Sequence, residues 1–286
     1  MSWGRVLGLG PMMVRAIWRI LNWPYHLANS GQPLTPFSSL FPHPLLRSVP
    51  IQTLEPQRLY RQIAEQLREL IGKGEFAVGA RIPAERDLAR QLGVSRPSVR
   101  EALIALEVEG WVEVRTGSGV YVLDRSQRTP PPANGAAGIE WGPLEIIRAR
   151  RLVEGETAAT AAQHGKRKDV DAMRRAIRMM RDMAARNEVP HEGDRAFHLA
   201  IVNACDNVVL TETVQGFWES RHGPIFARMI DYFETMESWQ AAIGEHELIL
   251  DAIAARDPAA ARSAMHEHMD KFHQRFSASW RRTKAS

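Results

Sequence analysis

The chain has 286 residues, 44% of them hydrophobic and 24% charged, which excludes wholesale disorder and leaves room for two ordinary domains. A single cysteine, Cys205, excludes an internal disulfide and a thiolate-rich metal site and gives no sign of an oxidising compartment. No apolar run is long enough for a spanning helix, so a cytoplasmic protein without a membrane partner is expected. The formal charge of +4 arises in residues 1–50, where Arg5, Arg15, Arg19 and Arg47 meet no acid. The remainder is close to neutral, so a nucleic-acid partner must be argued from the placement of arginines rather than from bulk charge.

Residues 1–50 scatter Trp3, Trp18, Trp23 and several prolines without a sustained period. They read as a disordered leader or as a start assigned too far upstream. A signal peptide would need an apolar stretch that Pro11, Arg15 and Arg19 interrupt. Membrane-surface contact by Val14–Trp23 is the remaining alternative.

Ordered pattern begins near Gln57. Leu59, Ile63, Leu67, Leu70 and Ile71 recur at helical spacing, and Gly72 and Gly74 end that helix. Pro83 opens a second, with Leu88, Ala89 and Leu92 on one face, and Gly93 closes it. Ser95 is placed to cap a third, from Arg96 to about Glu109, with Pro97 in the first turn where a missing N–H costs nothing. The period then becomes two: Val112 and Val114 alternate with Trp111, Glu113 and Arg115. Thr116-Gly117-Ser118-Gly119 turns the chain and Val120-Tyr121-Val122 returns it.

Three helices with a tight turn and a hairpin make a winged helix-turn-helix over 51–128, α+β in class. Its third helix suits a major groove. Ser95, Arg96, Ser98 and Arg100 sit in the first turns of that helix, where free N–H groups attract phosphate and arginines can fork onto guanine or phosphate. Arg86 is close enough to share the surface, and a slim wing tip at Thr116 and Gly117 can approach a minor groove. A protein-interaction module of the same shape stays open on these grounds alone.

Residues 129–142, rich in proline and glycine, read as a linker. Beyond them, 143–280 shows only helical pattern, expected over 143–164, 168–187, 191–204, 206–220, 224–237, 239–256 and 258–278. The second domain is therefore an all-α bundle of six or seven helices. Asp194 and His198 lie four apart and so share a helical face, about 6 Å from each other. His246 and His268 would be roughly 33 Å apart on one unbroken helix, but Asp257-Pro258 falls midway between them and should fold the chain back. Three histidines and a carboxylate then form a set suited to a divalent ion such as zinc, nickel or manganese. Partly buried histidines and a helix-capping Asp194 would account for the same residues without a metal. Glu245 and Glu247 flank His246, either as acceptors behind the ligands or as solvated groups.

The stretches Gly79–Ala89 (GARIPAERDLA), Leu92–Ala102 (LGVSRPSVREA) and Gly110–Val122 (GWVEVRTGSGVYV) resemble the DNA-binding domain of the GntR family of bacterial transcription regulators. The resemblance implies a homodimer on a short palindromic operator of double-stranded DNA, contacted by residues at Arg86, Ser95, Arg96, Arg100, Thr116 and Gly117. Residues 143–275 resemble the effector-binding (FCD) domain of the FadR-like subfamily, on Arg150–Ala158 (RRLVEGETA), Asp194–His198 (DRAFH), Glu245-His246 and Asp257–Ala261 (DPAAA) through His268. This implies a divalent metal on Asp194, His198, His246 and His268. It further implies a small carboxylate effector paired with Arg150, and Asn207 nearby is a candidate for a further hydrogen bond. Glu101–Glu107 and Phe217–Arg221 look most like regulators of hexuronate and related sugar-acid catabolism; other small organic acids are the alternative effectors. A ligand-gated repressor is expected, with activation as the other sign. A purely structural metal and a metal-dependent enzyme are the competing functions, and no separate acid–base residue supports the enzyme.

Overall fold

The computed structural model describes residues 58–124 and 141–277; the expected leader and most of the expected linker lie outside them. Helix α1 (Leu59–Gly72) buries Tyr60, Ile63, Ala64, Leu67 and Ile71; Ile63, Leu67 and Ile71 are as the spacing predicts, whereas Leu59 is exposed and Leu70 half-buried, their places on the buried face taken by Tyr60 and Ala64. Helix α2 (Glu85–Leu92) stops at Gly93, whose φ of 67° is the left-handed conformation that glycine enters without strain. Ser95 caps α3 (Arg96–Val108) as expected, its hydroxyl accepting from Ser98 N at 3.2 Å.

Strands β1 (Val112–Arg115) and β2 (Gly119–Val122) pair antiparallel, Val112 opposite Val122 and Val114 opposite Val120, and these four valines face the core. The segment before α2 adds a short third edge that the alternation gave no hint of: Ile82 N donates to Val120 O at 2.8 Å and Val122 N to Ala80 O at 3.0 Å.

Seven α-helices follow among the described residues: α4 (Pro143–His164), α5 (Arg167–Ala185), α6 (His191–Asn203), α7 (Val208–Glu219), α8 (Pro224–Phe233), α9 (Met236–Ala254) and α10 (Pro258–Ser277), with a short 3₁₀ turn at Ser220–His222. Two boundaries differ from expectation because of caps. Asn207 accepts from Val209 N and Leu210 N, so α7 begins after it. Thr235 and Ser238 exchange hydrogen bonds in a capping box that starts α9 early and ends α8 at Phe233. The turn at Asp257-Pro258 folds α10 back along α9, bringing the His246 and His268 rings to 4.4 Å. No helix among the described residues is long and apolar enough to cross a membrane.

One apolar cluster runs from Tyr60, Leu103 and Val120 of the winged part to Ile147, Phe226, Phe233 and Phe276 of the bundle. Polar contacts tie the same junction. Glu107 accepts from Arg228 and from the Tyr232 hydroxyl at 2.7 Å, and Arg58 pairs with Glu145 at 2.8 Å. Helix α3 is consequently buried at every residue from Val99 to Leu106, meets solvent around its N-terminal turn and is half-buried at Glu107 and Val108.

Candidate metal centre and DNA-facing surface

Helix α6 supplies Asp194 and His198 one turn apart, α9 supplies His246 and α10 supplies His268; all four are buried. His246 Nε2 lies 3.2 Å from His198 Nε2 and 3.2 Å from Asp194 Oδ1, and the four candidate donor atoms fall within 4.8 Å of one another. Donors bound to one ion at about 2.0–2.2 Å are at most about 4.4 Å apart, so the set closes on a divalent cation with a small inward shift. Two ring nitrogens and a carboxylate oxygen crowding one point, out of reach of water, is a poor arrangement for protein atoms alone and a natural one around a cation. The residues present fit a metal; which one they do not say.

The electrostatics agree. Burial would raise the Asp194 carboxyl, but hydrogen bonds with His198 and His246 and the Arg221 charge outweigh it and hold the group well below its ordinary value. Burial, reinforced by the neighbouring histidines, pushes His268 well below its usual range, and burial also lowers His246. Both shifts favour the neutral ring, the form that ligates. His198 goes the other way: burial lowers it, yet the Glu154 charge beside it raises it.

Behind the donors stand carboxylates. Glu245 Oε2 is 2.7 Å from His268 Nδ1 and accepts from Arg275 at 2.8 Å, whereas Glu247 pairs with Arg181 on the surface. The two glutamates beside His246 therefore have different roles, decided by which face of α9 each occupies. Glu154, which the spacing argument did not single out, lies against His198 Nδ1. Its signal was in the sequence: it follows Arg150 by four residues, one helical turn, and Arg150 Nε donates to Glu154 Oε1 at 2.5 Å.

A cavity of about 20 Å³ adjoins the cluster, lined by Arg150, Asp194, Arg221, Glu234, His268 and Arg275 among others. The guanidinium carbons of Arg150 and Arg221 lie 4.6 and 4.4 Å from the centre of the Trp218 ring, within reach of cation–π attraction. Arg221 donates to Asp194 Oδ2 at 3.1 Å. One terminal nitrogen on each of these two arginines is buried without a hydrogen-bond partner. Arg221 was noticed only as part of a resembling segment; its proximity to Asp194 depends on the 3₁₀ turn after α7, which no periodicity announces. Asn207 is a correction. Exposed, and spent on capping α7, it does not line this cavity.

At the other end of the molecule, a cleft of about 250 Å³ between α2, α3 and the wing is lined by Arg81, Arg86, Arg96, Arg115 and Gly117. The four arginines are exposed, as is Ser95; Ser98 and Thr116 are half-buried close by. Arg81 and Arg115 were not anticipated, and Arg81 reaches the cleft because the segment before α2 pairs with β2. Arg100 is the second correction. Its side chain is fully buried, forked onto Glu85 at 2.6 and 2.7 Å and donating to the Phe276 carbonyl at 2.7 Å. The end of α10 covers the position at which the sequence led us to expect DNA. Glu85 is buried with it.

Two family descriptions match this chain in the places the two parts occupy: "Bacterial regulatory proteins, gntR family" over residues 59–122 and "FCD domain" over residues 145–271. The "Uxu operon transcriptional regulator" of Escherichia coli (strain K12) is 38% identical over 224 residues, 77% of this chain and 87% of that protein. The chain belongs to the GntR family. The "Exu regulon transcriptional regulator" of the same strain is 36% identical over 227 residues, covering 77% and 85% of the two chains. More distant is the "Putative L-lactate dehydrogenase operon regulatory protein" of that strain, 30% identical over 224 residues, covering 76% and 86%. This GntR-family member is a transcription regulator with an FCD domain, not an enzyme. Regulators of its family bind operator DNA, and effectors through the FCD domain.

Proposed function

We propose that this protein represses sugar-acid catabolism genes and leaves its operator when a carboxylate effector binds at the metal centre. It acts as a homodimer on a palindromic operator. Arg86, Ser95, Arg96, Ser98, Thr116 and Gly117 contact the DNA, and Arg81 and Arg115 add phosphate contacts in the same cleft. A divalent ion, zinc in the simplest case, is held by Asp194, His198, His246 and His268. When bound it supplies open coordination positions and positive charge for a carboxylate. Arg150 and Arg221 offer the nitrogens that lack a hydrogen-bond partner to that carboxylate and to neighbouring hydroxyls. Relatives of the Uxu and Exu kind favour hexuronates; the more distant lactate-type relative keeps smaller acids as the second class.

The observation that carries the gating is the size of the cavity. About 20 Å³ accommodates one water, whereas small-molecule sites run to about 300 Å³ or more. A sugar acid has to displace the walls, and those walls include residues of α4, α9 and α10. The end of α10 holds Arg100 of α3, so movement there reaches the DNA-reading helix. Effector binding and operator binding then share one conformational equilibrium. The same small cavity favours one competing reading, a metal that only pins α6, α9 and α10 together.

The test is operator affinity by fluorescence anisotropy, with glucuronate, galacturonate and lactate titrated into zinc-loaded and chelator-stripped protein. Release by a hexuronate in the loaded protein alone is expected. A zinc-loaded protein whose operator affinity no acid alters has a structural metal only.

A further inference from the structure

Glu154 is wholly buried in α4 between two groups that the proposed function treats separately. One oxygen, Oε1, accepts from Arg150 Nε at 2.5 Å; the other, Oε2, lies against His198 Nδ1. Neither Oε2 nor His198 Nδ1 has another partner among the described residues. Among the described residues, the polar partners of this carboxylate are a candidate effector arginine and a candidate metal ligand.

We propose that Glu154 is a positioning residue that ties the metal to the effector-binding arginine. A proton on His198 Nδ1 directed at Glu154 leaves Nε2 as a lone-pair donor, on the side where His246 Nε2 and Asp194 Oδ1 converge. The same carboxylate fixes the Arg150 guanidinium by its Nε edge, so a terminal nitrogen, NH2, remains without a partner beside the cavity. One rigid helical turn thus sets both the tautomer of a ligand and the direction of the arginine. Metal occupancy orients His198, which orders Glu154, which orders Arg150. Binding of metal and of carboxylate should therefore be mutually reinforcing, as linkage requires. Glu245 stands behind His268 in the analogous place but pairs with Arg275, so it supports the metal without touching Arg150.

The inference rests on the metal reading above, and its test separates the two. Zinc affinity of the full-length protein is measured by chelator competition for wild type, Glu154→Gln and Glu245→Gln, and hexuronate affinity is measured on zinc-saturated samples. Glu154→Gln should weaken zinc by about 10–100-fold and also weaken the hexuronate at saturating zinc. Glu245→Gln should weaken zinc and, once zinc is saturating, affect the hexuronate only through Arg275 and by less than Glu154→Gln does. In the zinc-loaded wild type, the His198 Nδ1 proton should give a downfield NMR signal that Glu154→Gln shifts or abolishes. Glu154→Asp keeps the charge and should restore part of the zinc affinity, which guards against a Gln variant that fails to fold. Wild type that binds no divalent ion overturns both readings. Wild type that binds zinc, with Glu154→Gln binding it and the hexuronate equally well, overturns this one alone.

Discussion

In the cleft between α2, α3 and the wing, Arg86 and Arg96 have side chains 78% and 48% exposed, whereas Arg150 and Arg221 beside Trp218 are 2% and 6% exposed. The same residue type serves opposite purposes. In water an arginine costs little to keep and attracts any phosphate nearby, and its long contacts there, Arg86 with Asp87 at 3.8 Å and Arg96 with Glu85 at 3.7 Å, are worth little. Out of water each guanidinium requires a carboxylate, and the bundle supplies Glu154 for one and Asp194 for the other. Removing an exposed arginine should therefore alter binding and spare stability. Removing a buried one leaves its partner charge stranded.

Arg100 tests this contrast most sharply, because it sits in the DNA-reading helix yet is buried like the effector-domain arginines. Arg100→Ala should lower stability by about 3–5 kcal/mol by urea denaturation, since Glu85 is left buried without its fork. Arg96→Ala should leave the urea midpoint unchanged, weaken operator binding at every sequence tested, and reduce the salt dependence of log K by about one unit. Equal, small stability losses for both variants would remove the distinction between the two regions.

Glu101 lies at the junction between them and gives a pH signature. Burial raises its carboxyl to about 8, while Leu144 N, Arg148 and Arg58 act to lower it and Glu145 to raise it. A folded-state value above the unfolded one means that the native state binds the extra proton between about 4.5 and 8. Its contribution is complete below that window and is lost as pH rises through it. Glu101→Gln, which keeps an acceptor for Leu144 N, should melt above wild type at pH 8 by an amount on the order of 3 kcal/mol and match it near pH 5. A constant difference between the two proteins across that range would show that ionisation of this group is not involved.

The smallest effect concerns Asn207. As a helix cap it is worth about 1 kcal/mol, so Asn207→Ala should melt slightly earlier and respond to hexuronate as wild type does. A lost effector response with unchanged stability would return this residue to the site.

The local patterns were legible because they arise from short-range causes. Apolar spacing gave Ile63, Leu67 and Ile71 of the α1 stripe, Gly93 and Ser95 marked the boundaries between α2 and α3, and alternating valines gave the wing. Even the meeting of His246 with His268 was readable, since Asp257-Pro258 marks a reversal midway between them. Caps formed by Thr235 and Asn207 were overlooked, which shifted the ends of three helices by a few residues. Sequence alone thus determined the two-part architecture, the meeting of Asp194, His198, His246 and His268, and the exposed Arg86 and Arg96. Only the tertiary structure decided which charges are buried together: Arg100 with Glu85 and the end of α10, Arg221 with Asp194, and Glu154 with both Arg150 and His198. Helical spacing says which residues share a face of one helix. The partner that face meets is set by how helices distant in the chain pack, and burial then compels each charge to find its counter-charge there.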